Sequence, residues 1–180
     1  MKLIIFFFIA TTILAQVNWD SIACETTKEM EVFVPTKREK LDEMSHKKLE
    51  KKADEAFSDY IRLSYSNENG IVSCSTCDFR DLWKYLDNGH YRSRDARSTR
   101  WYEKNCSPQC RACNKEGRGG GKGEKVKHAE FIDKTHGEGT ADELIKLSHE
   151  VKIFNRVDLI AIILHYRLKV KELLKQKGLK

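Results

Sequence analysis

The sequence predicts a small α+β fold, with a core of short strands pinned by four cysteines and helices before and after it. Three observations carry this. Apolar residues recur with helical spacing over 41–63 and again over 155–175. Between them lie two CxxC pairs, Cys74/Cys77 and Cys110/Cys113. At 180 residues the chain is long enough to bury one ordinary core.

Residues 1–16, which begin MKLIIFFFIATTILA, read as a signal-like segment too short to span a membrane as a helix. Export would favour disulfides, whereas CxxC pairs with His and Asn favour an intracellular metal site. A start at Met30 or Met44 would reconcile the two. It would leave a cytoplasmic protein with no stable membrane partner; the alternative is an exported one. Residues 17–40 read as a linker. Over 41–65 a helix is expected: Leu49, Ala53, Phe57 and Ile61 stand four apart, and Ala56, Tyr60 and Leu63 widen the stripe. Its other face is rich in Lys and Glu, so one side packs.

SNENG (66–70) is turn chemistry that stops this helix, and IVSCSTC predicts a short strand entering a cysteine turn. GRGGGKG (117–123) holds five of the ten glycines. It lacks the Gly-Lys-Ser/Thr ending and a preceding apolar strand, so it reads as a flexible basic loop rather than a phosphate loop. Two helices close the chain. One starts at Thr140, with Glu143 at capping-box spacing. The other covers about 155–175, with Leu159, Ile163, Tyr166, Val170 and Leu173 along one face.

Two CxxC knuckles offer four thiolates, a complete tetrahedral shell for Zn²⁺ with no open position, so this zinc would be structural. Disulfides or free thiols are the alternative. Cys24 stands alone, and Cys106 is a spare whose spacing fits worse than CxxC. Zinc therefore does not need His90, which lies between the pairs in LDNGHYRS. That leaves His90 as a base or a bystander.

The formal net charge is +6, and it is local. Between Arg92 and Lys127 stand eleven Lys/Arg and four Asp/Glu, a surplus of seven. Such a stretch suits a polyanion such as DNA or RNA, or is a solvated basic loop. Arg92, Arg94, Arg97 and Arg100 could clamp phosphates bidentately, with Arg118 and Lys122 adding contacts. Trp101 and Tyr102 could stack on an unpaired base, or Trp101 could belong to the core. His128, His136, His149 and His165 read as surface residues.

Asn105 follows His90 by fifteen residues and Asn114 follows by nine more, a spacing that resembles the HNH, or ββα-metal, nuclease motif. Together with IRLSYSNENGIVSCSTC, NGHYRSR, TRWYEKNCSPQCRACN and HGEGTADELI, the chain from about Ala53 onward resembles the NinG (Rap) family of phage recombination proteins. The resemblance implies a zinc-pinned ββα-metal core within residues 69–180. His90 would activate water, Asn105 brace the loop and Asn114 help hold a catalytic ion. It also implies a structure-specific endonuclease acting on branched DNA such as Holliday junctions and D-loops.

The chemistry stands beside the resemblance. A neutral histidine near its reference pKa of about 6.5 suits a base, and Mg²⁺ or Mn²⁺ needs few protein oxygens. Asp87 and Asn114 can supply them. HNH sites often carry Asp or His immediately before the base, and here that residue is Gly89. Asp87 is therefore the expected substitute, though it could be a turn residue, and Asn114 could merely cap the zinc knuckle. Cutting two opposed strands is compatible with a homodimer. The rivals are a catalytically inactive, zinc-stabilised DNA-binding module and an exported, disulfide-stapled domain.

Overall fold

Two long helices, α1 (His46–Ser64) and α5 (Arg156–Gln176), lie against each other and form the wall on which the rest is built. The structure is a computed structural model that describes residues 41–116 and 124–180. The signal-like segment, the linker, Cys24, Arg118 and Lys122 lie outside the described residues. A 3₁₀ turn, Leu41–Glu43, precedes α1. The expected stripe is the buried side of α1: Leu49, Ala53, Phe57 and Ile61 are at most 2 % exposed. They meet Leu159, Ile162, Ile163 and Tyr166 of α5. Both helices bury one apolar face against the other, which gives each more stability than its propensity would.

Four short strands lie between the helices. β1 (Ile71–Ser73) pairs antiparallel with β2 (Arg80–Leu82), and β3 (Asp87–His90) pairs antiparallel with β4 (Cys106–Gln109). At Gly70, where φ is +75°, the chain turns into β1, and an added Cβ would meet Leu179 and Trp83 at 3.3 Å. A second core forms here. Leu63, Val72, Trp83 and Leu86 pack with Cys74, Cys110 and Cys113 against Val170, Leu173, Leu174 and Leu179. The architecture is thus mixed α+β, with two small sheets and predominantly helical.

A one-turn helix α2 (Arg97–Arg100) sits in the β3–β4 loop, and a π-helical turn, Ala112–Glu116, follows β4. Helix α3 (Lys125–His136) and helix α4 (Thr140–Leu147) then precede α5. Three helices therefore close the chain instead of the expected two. The sequence hides α3 because its buried residues are only His128 and Ile132, too thin a stripe to show a period.

The capping box expected at Thr140 does not form. Gly139, at φ +84°, takes the N-cap position, and Thr140 Oγ1 donates to the His136 carbonyl. Asp133 Oδ1 accepts the Ala141 N–H at 2.8 Å instead. The α3–α4 connection is so short that a carboxylate from the end of α3 already covers the first turn of α4. A reciprocal box forms at α5, where Asn155 Oδ1 accepts from Asp158 N–H and Asp158 Oδ2 from Asn155 N–H.

The β3–β4 loop is tied to α1 by charge. Arg100 donates to both oxygens of Asp54, at 3.0 and 2.7 Å, and Trp101 Nε1–H donates to the same carboxylate at 3.0 Å. Arg97 pairs with Glu50 at 2.6 Å. Trp101 is a core residue, 2 % exposed and edge-on to Phe154 with ring centroids 4.8 Å apart. Among the described residues no helix is long and apolar enough to cross a membrane.

The Asp54–Arg100 pair is only 19 % and 16 % exposed, so removing one partner strands the other. Asp54→Ala should lower stability in urea unfolding by about 3 kcal/mol. Lys51→Ala, which breaks the exposed pair with Glu55, should change it by less than about 0.5 kcal/mol. Equal effects would contradict this assignment.

Candidate functional site

The four CxxC cysteines converge. Their Sγ atoms all lie within 4.8 Å of one another, and Cys77 and Cys110 stand 3.7 Å apart. A disulfide would need about 2.05 Å. A tetrahedral zinc with Zn–S of about 2.3 Å needs sulfurs about 3.8 Å apart. The donor set therefore fits a structural metal ion such as zinc, which Cys74, Cys77, Cys110 and Cys113 could hold.

The surroundings suit thiolates. The Cys74 thiol is brought down to about 7; burial opposes ionisation, but hydrogen bonds from Thr76 and the Cys110 N–H outweigh it. Burial and the neighbouring sulfurs push Cys77 up. One thiolate forms readily, while Cys77 and Cys110 resist ionisation as long as no dication shares the charge. The knuckle also joins the two sheets, because Ser75 N–H donates to the Pro108 carbonyl at 2.8 Å. Cys106 does not join this cluster: it is fully buried in the main core, and burial drives its thiol pKa well up.

His90 ends β3, partly buried and paired in register with Cys106. Its ring lies 6.4 Å from that of Phe57 in α1. Nε2 is 3.1 Å from the Arg100 carbonyl and Nδ1 is 3.3 Å from the Asn88 carbonyl. Burial, helped by the charge of Arg94, holds its pKa down to about 4. The ring is therefore neutral at pH 7, and a neutral ring donates one N–H and keeps one lone pair.

Asn105 is fully buried. Its Oδ1 accepts the Arg92 N–H at 2.8 Å, and its Nδ2 donates to the carbonyls of Arg92 and Thr99 at 3.1 and 3.0 Å. The Tyr91 N–H donates to the Asn105 carbonyl. One side chain thus closes the loop between β3 and β4 from within.

Asn114 Nδ2 donates to Asp87 Oδ2 at 3.0 Å, and Lys115 Nζ stands 3.9 Å from the same oxygen. Along β3 successive side chains alternate, so Asp87 and Gly89 share one face while Asn88 and His90 share the other. Gln109 lies across Gly89: a Cβ there would meet its Oε1 at 2.1 Å. Any Asp or His at this position would displace Gln109 from its bond to Thr76.

On the Asp87 face, Ser107 donates to Ser75 at 2.8 Å and meets His128 Nε2 at 2.8 Å. His128 is not a surface residue; it is 3 % exposed, its ring 5.9 Å from that of Tyr91. Burial, then repulsion from His90 when that ring is protonated, lowers its pKa to about 4. It was hidden because the helix that carries it was.

The arginines divide. Arg97 and Arg100 are committed to α1, and Arg92 Nε donates to Ser148 at 3.0 Å. Arg94 is exposed and makes no hydrogen bond or ion pair among the described residues, while its charge is felt at His90. Tyr102 packs partly buried against Ile132, Ala141 and Leu144.

The family described as "Bacteriophage Lambda NinG protein" matches residues 18–176. The match begins well before Ala53, so it takes in α1 and part of the segment outside the described residues. No curated protein and no solved structure matches the chain.

Purified protein should carry about one zinc per chain by atomic emission. Cys77→Ala should lose the metal and with it cooperative unfolding, while Cys106→Ala should keep it. Zinc retained by Cys77→Ala, or lost by Cys106→Ala, would reassign the ligands.

Proposed function

The chain belongs to the NinG family, and from that membership we propose that it is a metal-dependent, structure-specific DNA endonuclease of the HNH type. Its substrates on this reading are branched recombination intermediates such as Holliday junctions and D-loops. The observation that carries the reading is the setting of His90. We assign the ring proton to Nε2, the nitrogen closer to its carbonyl partner at Arg100, which leaves Nδ1 the lone pair that can take a proton from water. When it does, the Asn88 carbonyl is placed to accept the new N–H. The Asn105 brace holds the loop that carries the Arg100 carbonyl, so the ring and its partner keep their relation.

Asp87 and Asn114 would hold the catalytic Mg²⁺ or Mn²⁺. Their mutual hydrogen bond leaves Asp87 Oδ1 and Asn114 Oδ1 for a hard cation that keeps most of its waters. When bound, the ion would neutralise phosphate charge and stabilise the leaving oxygen. Arg94 supports the reading as an uncommitted phosphate ligand beside His90. A homodimer would present two such sites to opposed strands, and branched DNA as partner fits a cytoplasmic protein.

One observation favours a second reading, a catalytically inactive DNA-binding module stabilised by zinc. Asp87 and His90 lie on opposite faces of β3, and Gln109 fills the space above Gly89. Cleavage of a labelled four-way junction beside matched linear duplex decides between them. Mg²⁺- or Mn²⁺-dependent cutting of the junction is expected, abolished by EDTA and reduced about 10²–10⁴-fold in His90→Ala. Junction binding without cutting, unchanged by the substitution, would establish the binding module instead.

A further inference from the structure

Away from His90 and the cysteines, the end of α1, the β3–β4 loop and the end of α3 enclose a cleft of about 300 Å³. Tyr60, Ser64, Tyr65, Glu103, Thr135 and His136 line it. Its volume is at the low end of the about 300–1,000 Å³ of ligand pockets, suited to a single planar ring system. Two tyrosine rings supply aromatic surface. Tyr65 OH is 3.3 Å from His136 Nε2, and its ring packs 5.9 Å from that of Phe131.

Glu103 gives the cleft its polarity. Its Oε1 accepts from Tyr166 OH at 3.3 Å and from Lys169 Nζ at 3.2 Å, and its Oε2 accepts from Tyr60 OH at 3.2 Å. A carboxylate has about four acceptor sites, so one on Oε2 remains. Lys169 already balances the charge, which disfavours a cationic occupant and leaves a hydrogen-bond acceptor among aromatic rings. Lys104 belongs to the same loop and its charge is felt at His136, while exposed Lys134 precedes Thr135. The cleft therefore opens beside the positive charge of Lys104 and Lys134.

We propose that this cleft takes one unpaired nucleobase bearing an exocyclic amino group, stacked on the tyrosines and donating to Glu103, from a strand whose phosphates meet Lys104 and Lys134. The proposal rests on the branched-DNA reading and names what the protein holds at the branch. Aromatic stacking accepts any base. The Glu103 acceptor selects amino-bearing bases, because the thymine N–H is flanked by two carbonyl oxygens that would face the carboxylate.

The test uses full-length, zinc-loaded protein and junctions with one unpaired nucleotide at the branch: cytosine, thymine or an abasic site. Fluorescence anisotropy should show cytosine bound about tenfold more tightly than thymine or the abasic site. Glu103→Gln should level cytosine and thymine. Ser64→Trp, at an exposed position at the mouth, should level all three while leaving the melting temperature and the abasic affinity unchanged. Equal binding of all three by wild-type protein that still prefers junction to duplex overturns the cleft alone. Loss of any preference for junction over duplex overturns the branched-DNA reading and the cleft with it.

Discussion

The candidate site depends on one buried carboxamide. Asn105 sits where the loop returns to β4, and three hydrogen bonds from its side chain hold Arg92 and Thr99 from inside. Without it, the Arg92 N–H and carbonyl would lose these partners, at about 1–3 kcal/mol each, while the Thr99 carbonyl would keep the Tyr102 N–H. The loop also carries Arg100, whose side chain bonds Asp54 and whose carbonyl meets His90. A hydrogen-bonding side chain, an ion pair and a core tryptophan therefore fix the same segment from three sides. That redundancy holds a partly buried histidine at a strand end in one orientation.

The four-thiol cluster fixes the other end of the hairpin. Cys110 immediately follows β4, and its N–H donates to Cys74 Sγ in the knuckle after β1. A metal there would clamp β1 to β4 and leave the opposite end, with His90, to the Asn105 brace. The two devices are independent in chemistry. One needs thiolates and a dication, the other only complementary amide groups.

How far the sequence could be read follows from the range of each signal. The α1 stripe and the four cysteines were legible because period and spacing are local properties: residues four apart share a helix face, and CxxC folds into one turn. The engagement of Arg97 and Arg100 was not. Their partners, Glu50 and Asp54, lie some fifty residues upstream, and nothing in an arginine-rich run distinguishes an ion pair from a phosphate ligand. The α4 cap failed for a different reason. Thr140 and Glu143 have box spacing, but the cap falls one residue earlier, at Gly139, and the Thr140 and Glu143 N–H groups are already paired with the Gly137 and Gly139 carbonyls. His128 was missed because a helix with two buried residues shows no period, and its partners Ser107 and Tyr91 lie on the hairpin, far from it in sequence.

The proposed chemistry requires a neutral His90, with its proton on Nε2 and its lone pair on Nδ1. The direct test is ¹⁵N NMR of the His90 ring in zinc-loaded protein, followed from about pH 8 down to about pH 4. The Nε2–H tautomer should persist throughout the neutral range, with protonation only as the pH approaches about 4. An imidazolium at pH 7 would remove the base, and a proton on Nδ1 would turn the lone pair to the Arg100 carbonyl; either result contradicts the assignment.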